Sequence, residues 1–488
     1  MKILKPVIAA LCLLGSSCGR HPGSLEVHDP FIRDVLSNKN GFYYLDYREP
    51  QDRRSLAVGV FDSGIGGLTV FDAIIHYDQH DAGGRENPDG IGDFRQEQFV
   101  YLADQANMPY SNYPETDKTE LLVEHVLKDA LFLVNGRYNP SPDSDEVGYG
   151  KPPVKAIVIA CNTATAYGKD KIEQLFRQTG TEVHVIGIVD AGAKGAVESF
   201  NPQESGVIAV FATPATVKSG AYVSSIRRML EQNRYSGDIR IIQHGGKGLH
   251  EAIENKPGFI NTAAGAIDKD YQGPSFSDDL YRIDRELLDV YRFDTTGNHL
   301  LCNHGNIRRS DTIQLNSVEN YVRYHIVTLA EKLRNSGISS PLKSIVLGCT
   351  HYPYVENEIE NVLAGLRSIP AYEDILSDTI ILIDPSRNTA AELYRYLDQD
   401  DLLNTRDRQR LDESMFFISV PNRFNSEVSV TDEGAFTYRY QYLDRNINEL
   451  QEYTLVVPLT ERILSDLQLG EIRKNIPETY KIIRKHSD

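Results

Sequence analysis

The chain has 488 residues, 41% of them hydrophobic and 25% charged, with a formal net charge of −18. That is the composition of a soluble globular protein, with chain enough for roughly two to four domains at about 100–200 residues each. The acidic balance argues against a nucleic-acid partner and against attachment to an anionic membrane by charge.

The start of the chain is different in kind. Lys2 and Lys5 precede an apolar run from Val7 to Leu14 and then Gly15-Ser16-Ser17-Cys18. A basic start, a short apolar run and a small-residue site form a secretory signal over residues 1–17, and the run is far shorter than the roughly 20 residues of a spanning helix. The small residues before Cys18 resemble a bacterial lipoprotein box, loose at Gly15. The resemblance implies cleavage before Cys18, acylation of that residue and a place in the bacterial cell envelope, on a membrane only through lipid; the alternative is an ordinary secreted protein cut near the same place. Residues 18–55 read as an N-terminal extension.

AVGVFDSG (Ala57 to Gly64) predicts a buried strand ending on Asp62-Ser63. The following Gly64-Ile65-Gly66-Gly67 departs from a dinucleotide loop because Thr69 stands where the last glycine belongs; it offers room for backbone to approach a small anion. The polar stretches His80 to Gln98 and Asn135 to Pro152 read as surface insertions, with a helix predicted over Thr119 to Val134 between them. PVKAIVIACNT (Pro153 to Thr163) is an aliphatic run between a proline and small polar residues, the pattern of a strand buried on both faces of a parallel sheet.

VIAVFATP (Val207 to Pro214) then repeats the first strand, sharing Val60/Val210 and Phe61/Phe211, with Ala212-Thr213 in place of Asp62-Ser63. A helix is predicted over Thr216 to Glu231, followed by a long stretch from about residue 255 to 317 that reads as a third surface insertion. PLKSIVLGCTH (Pro341 to His351) repeats the cysteine strand without a gap, matching Pro153/Pro341, Lys155/Lys343, Ile157/Ile345, Val158/Val346 and Cys161/Cys349. Beyond about Asp400, Met415 to Val420 and Tyr453 to Pro458 are strand-like and suggest no chemistry.

Alternating strands and helices, written twice, predict an α/β protein: two pseudo-symmetric parallel-sheet α/β domains facing a central cleft. The first comprises residues 56–190 with about 357–422, the second 191–356 including the insertion, and residues 423–488 form a C-terminal extension. Strand ends of this kind are where open α/β sheets bind ligands.

Of the five cysteines, Cys12 leaves with the signal and Cys18 is the acylation candidate. Cys161, Cys302 and Cys349 remain, an odd number without metal-ligand spacing, so neither a disulfide framework nor a zinc site is suggested. A single cysteine after a buried strand is most often packed and inert; the matched pair is what argues for chemistry. A thiol, with an ordinary pKa of about 8.5, can serve as base on one face of a carbon and as acid on the other, which is what racemisation needs. Asp62 is placed to orient or deprotonate one thiol, and His351, two residues past Cys349, to serve the other. Ser63, Asn162, Thr163, Thr213, Thr216 and Thr350 are short donors suited to holding carboxylates without a strongly basic pocket.

VGVFDSGIGGLTV (Val58 to Val70), ACNTATA (Ala160 to Ala166) and LGCTHYP (Leu347 to Pro353) closely resemble the signatures of glutamate racemase, in the aspartate/glutamate racemase superfamily. YLADQANMPY (Tyr101 to Tyr110), VIGIVDAGA (Val185 to Ala193), ATPATVKSGAY (Ala212 to Tyr222) and LIDPS (Leu382 to Ser386) follow in the family's order, so that the resemblance covers about Leu56 to Asn422. It implies that Cys161 and Cys349 are the two acid/base residues, Cys161 taking the proton of the D form and Cys349 that of the L form. Asp62 and His351 would assist them, and Asp62, Ser63, Tyr110, Ser111, Asn162, Thr163, Thr350 and His351 would contact substrate. The implied substrate is an acidic amino acid, L-glutamate turned to D-glutamate, with no pyridoxal phosphate or metal, in a chain able to form a homodimer.

Departures from the family pattern are Ser111 for its usual glycine, Asp190 for its proline, and Gln243-His244-Gly245 for the Cys-Pro stretch before its supporting glutamate, whose counterpart is Glu251 or Glu254. Export is a further departure, since the family supplies D-glutamate for peptidoglycan biosynthesis in the cytoplasm. Two alternatives therefore stand beside the first: a racemase or isomerase of another small acidic amino acid or dicarboxylate, and an amino-acid-binding lipoprotein without turnover. Binding alone would need neither thiol, which disfavours the last.

Overall fold

A computed structural model describes residues 30–45, 52–81, 83–261, 263–404, 408–447 and 452–485; the secretory signal and the acylation candidate Cys18 lie outside them. The aliphatic runs form strands, because side chains that are branched or apolar at every position suit a sheet covered on both faces. In chain order these are β1 (Ala57–Asp62), β2 (Phe99–Ala103), β3 (Val154–Ile159), β4 (His184–Gly187), β5 (Gly206–Ala212), β6 (Ile239–Gly245), β7 (Leu342–Gly348), β8 (Leu376–Ile383), β9 (Met415–Pro421) and β10 (Thr454–Pro458). Every residue of β1 and β3 is buried.

Two sheets result. The first has the order β10-β9-β2-β1-β3-β4, parallel except where β10 runs antiparallel to β9. The second has the order β8-β7-β5-β6 and is parallel throughout. The written duplication is a spatial one: β1 lies beside β3 with Phe61 opposite Ile159, and β5 lies beside β7 with Phe211 opposite Leu347. Each cysteine strand therefore ends next to a strand that ends in Asp62-Ser63 or Ala212-Thr213.

The halves share one apolar core. Val58, Val60, Ala156 and Val158 of the first sheet belong to the same buried cluster as Ile208, Val210 and Val346 of the second, closed by Ala193, Ala196, Ala390, Leu393 and Leu397 from helices Ile188–Glu198 and Pro385–Gln399. Each fully buried aliphatic side chain contributes about 1.5–3 kcal/mol, so this shared layer holds the two cysteine strands in a fixed relation.

The helix over Thr119–Val134 forms as the sequence predicts. The one predicted over Thr216 to Glu231 is broken into Pro214–Ser219 and Ala221–Gln232 by Gly220, which at φ 65° takes the left-handed conformation that ends a helix.

Three expectations about organisation need correction. Strand β8 pairs with β7, so the segment assigned to the first half from about residue 357 stays with the second sheet and returns only through the helix Pro385–Gln399. The C-terminal extension is no appendage: β10 completes the edge of the first sheet, and Ile472, Ile476, Ile482 and Ile483 enter the central core. Thr479 there donates to Asp72 at 2.7 Å. The insertion at 255–317 is not confined to the surface either, since Ile283, Leu288, Tyr291, Leu300, Ile313 and Leu315 are buried in the core of the second half. Its apolar residues are scattered among Gly, Asn and Asp without helical or strand period, which hides them in the sequence.

Candidate active site

At the end of β1, Asp62 is buried and its Oδ2 accepts the Gly67 N–H at 2.8 Å. The approach is close enough that a Cβ on Gly67 would stand 2.4 Å from the Asp62 Cβ, so only glycine fits there. The backbone room that the sequence seemed to offer an external anion is thus taken by Asp62 itself. Burial lifts the Asp62 carboxyl to about 6, against hydrogen bonds from Gly67, Ser63, Gly64 and Cys161 that favour the anion. Cys161, at the N-cap of helix Asn162–Thr179, accepts the Ala164 N–H at 3.4 Å and donates to the Ser63 hydroxyl at 3.6 Å. Burial, and then the charge of Asp62, push this thiol up to about 12. Cys161 therefore rests as a thiol in reach of an ionised carboxylate.

Cys349, just past β7, is built differently. Its Sγ lies 3.8 Å from His351 Nδ1, which also has the Thr350 hydroxyl at 3.4 Å. On the other side of the ring, His351 Nε2 is 2.9 Å from Glu254 Oε1, and Lys256 meets the same carboxylate at 2.5 Å. Burial pulls the imidazole down, but the Cys349 sulfur and Glu254 outweigh it and hold His351 up to about 10. Burial likewise pushes Glu254 up, and His351 and Lys256 outweigh it, leaving this carboxyl at about 2. His351 is thus an imidazolium clamped between a sulfur and a carboxylate. Glu251 is occupied by His250 at 3.0 Å. Of the two glutamates that the sequence left open, Glu254 is the partner of His351.

The two sulfur sites are tied together through Asn162. Its Nδ2 donates to the carbonyl of Gly348 at 3.3 Å, and its Oδ1 accepts from the buried Tyr222 hydroxyl at 3.2 Å. The residue after one cysteine is therefore bonded to the residue before the other. Tyr222 was not singled out from the sequence; it closes the family-like segment ATPATVKSGAY, which was the signal available.

The remaining candidates divide. Thr213 caps helix Pro214–Ser219 and donates to Thr216 Oγ1 at 3.0 Å, so these two satisfy each other at the end of β5. Thr163 is part-buried in the first turn after Cys161, and Ser111 stands at the N-cap of the short helix Asn112–Glu115 without capping it by its side chain. Cys302 lies in the short strand Leu300–Cys302 of the insertion, apart from this constellation.

Tyr110 requires a correction: its hydroxyl is buried 2.5 Å from Asp104 Oδ2 and 2.8 Å from Asp129 Oδ2 rather than left for a substrate. One hydroxyl proton cannot serve two carboxylates, so the geometry suits one of the two carboxyls holding a proton of its own. Burial and then the charge of Asp104 raise Asp129 well above the ordinary carboxyl range, and burial raises Asp104 as well. Asp104 remains the better-supported anion, accepting from Ser419 at 2.6 Å and from Asn107 at 2.9 and 3.0 Å.

The strand ends of this two-sheet α/β protein thus carry two buried thiols, each beside its own proton partner. No family model matches the chain. It is 25% identical over 355 residues to the glutamate racemase of Ectopseudomonas mendocina, spanning 72% of this chain and 86% of that protein. It is 32% identical over 174 residues to the glutamate racemase of a Sulfurihydrogenibium species, covering 36% of this chain and only half the length of that relative. The crystal structure of glutamate racemase from Francisella tularensis in complex with D-glutamate aligns with 81% of this chain and 96% of its own, at 19% identity and a TM-score of 0.41. In sequence the chain is thus similar to bacterial glutamate racemases.

Proposed function

We propose that the protein is an isomerase, a cofactor-independent racemase that interconverts L- and D-glutamate. The observation that carries this reading is the pair of buried thiols with unlike partners, Asp62 and Ser63 at Cys161 and His351 at Cys349, bridged by Asn162. A binding protein would have no use for either proton relay.

In the forward direction the sulfur of Cys349, 3.8 Å from His351 Nδ1, takes the α-proton of the L form. The electron pair left on carbon takes the proton of the Cys161 thiol from the opposite face. Cys349 is then a thiol and Cys161 a thiolate, the state that attacks the D form. Asp62, largely ionised at neutral pH with its carboxyl at about 6, accepts a hydrogen bond from the Cys161 thiol before the transfer. The substrate carboxylate falls to the short donors at the strand ends, Ser63, Asn162, Thr163 and Thr350.

The basic, apolar and small-residue start of the sequence supports a mature chain that begins at acylated Cys18 and works in the cell envelope on free acidic amino acids. Chiral chromatography across a panel of amino acids, with reduced protein lacking the residues before Gly19, tests the function. Turnover of glutamate is the expected result. Turnover of another acidic amino acid alone would replace the substrate, and binding without turnover would overthrow the enzyme.

A further inference from the structure

The chain beyond Asn422 lies outside the family-like part of the sequence, yet it converges on one loop of the first half, Gln105–Tyr113. That loop covers the turn next to Cys161. A Cβ on Gly64 would meet Met108 Sδ at 2.6 Å and Gln105 Oε1 at 3.1 Å, so both side chains roof the Asp62-Ser63-Gly64 turn directly. Met108 is 43% exposed in that position, an apolar side chain with one face on the turn and the other open.

Loop backbone without a sheet partner must find donors and acceptors elsewhere, and here the C-terminal segment supplies them. Gln441 donates through Nε2 to the Met108 carbonyl at 3.2 Å and to the Tyr113 hydroxyl at 3.4 Å. The Tyr442 hydroxyl donates to the Pro109 carbonyl at 3.1 Å. Arg445 Nη1 donates to Asn107 Oδ1 at 2.8 Å, from a guanidinium buried among the rings of Phe436, Tyr440 and Tyr453 at 5.0, 5.7 and 5.3 Å. From β9, the Ser419 hydroxyl accepts the Ala106 N–H at 2.9 Å. Residues Tyr440–Asp444 form a turn of π-helix, a rare winding frequent at functional sites. Here it presents Gln441 and Tyr442 to neighbouring carbonyls of the loop.

We propose that Gln441, Tyr442 and Arg445 are positioning residues for the substrate pocket, holding Gln105–Tyr110 down over the Asp62-Ser63 turn so that Met108 forms the wall limiting substrate length beside Cys161. This rests on the racemase reading for what the pocket holds; the clamp itself rests on the contacts alone. It gives the C-terminal extension a role in recognition that its sequence does not display.

The test is the Gln441→Ala/Tyr442→Phe double variant, with Arg445 left in place because its burial makes folding depend on it. The exposed Leu443→Ala, in the same turn, is the control. In the double variant KM for L-glutamate should rise about tenfold with kcat within about twofold, the split expected of lost positioning rather than lost chemistry. Preference for L-glutamate over L-aspartate should fall with it, while Leu443→Ala changes neither. Amide hydrogen exchange supplies the second readout: Ala106, Asn107 and Met108 should exchange about tenfold faster in the double variant, with the strands unaffected. Unchanged exchange in the loop, equal acceleration throughout the chain, or a fall in kcat at constant KM would each overturn the proposal. If the wild type turns over neither amino acid, the racemase reading fails, and the exchange measurement still decides the clamp.

Discussion

Glu254→Gln separates the charge of the His351 partner from its shape. The variant keeps an acceptor for His351 Nε2, which stands 2.9 Å from Glu254 Oε1, and removes the negative charge. His351 is held at about 10 from an ordinary 6.5, an advantage to the imidazolium of roughly 5 kcal/mol at about 1.36 kcal/mol per pH unit. Cys349 and Glu254 supply it together against burial. One opposite charge at hydrogen-bond distance moves a pKa by roughly one to three units, so the alkaline limb of activity should fall from about 10 to between about 7 and 9. At pH 9 the protonated fraction of His351, about nine-tenths in the wild type, then drops about two- to hundredfold, and the rate with it. The acid limb, set by Asp62 at about 6, should stay in place. The assay is a pH–rate profile of L-glutamate racemisation followed by circular dichroism. Glu251→Gln is the control, since Glu251 meets His250 at 3.0 Å and not His351. An alkaline limb unmoved in Glu254→Gln, or moved in Glu251→Gln, would refute the assignment.

Other changes test other parts of the site. Burial raises Asp62 from 3.8 to about 6, so its contribution to stability is fully present below about pH 4 and lost as pH rises through about 6. Asp62→Asn should therefore be more stable than wild type at pH 8 by as much as about 3 kcal/mol in urea unfolding, while losing most of its activity and the acid limb; an unchanged or lower midpoint there would contradict the buried anion. If Asp129 already holds a proton, Asp129→Asn should leave the thermal midpoint nearly unchanged, whereas Asp104→Asn strands the donors Tyr110, Ser419 and Asn107 and should lower it by several degrees. The reverse order would place the proton on Asp104. Acylation is tested by metabolic labelling with a fatty acid in cells, where wild type should be labelled and Cys18→Ala should not.

The two sulfur positions were legible because each ends an unbroken buried strand, and the strand was written twice. Burial on both faces leaves an uninterrupted aliphatic run, the strongest pattern a short segment can carry. The partners were legible only where they adjoin a strand end: Asp62 ends β1 and His351 lies two residues past Cys349, whereas Glu254 reaches His351 from a separate part of the chain that no local pattern connects to it. Tyr110 was misplaced because a tyrosine in a substrate-like loop gives no sign that two carboxylates, Asp104 and Asp129, close around its hydroxyl. The C-terminal segment was opaque for a related reason. Gln441, Tyr442 and Arg445 act through contacts with residues more than three hundred positions away in sequence, and their spacing follows a π-helical turn rather than a familiar period.

Transfer of solvent deuterium to the α-carbon of glutamate tests the two-thiol claim most directly. In D₂O, reduced wild type given L-glutamate should form D-glutamate carrying deuterium at the α-carbon, and the same holds in reverse. Cys161→Ser and Cys349→Ser should each abolish racemisation in both directions, because a hydroxyl is too weak an acid to complete either half of the step, while Cys302→Ser should remain active. Near-normal racemisation with clean deuterium incorporation in Cys349→Ser or Cys161→Ser would contradict two-sided thiol catalysis and require a single base.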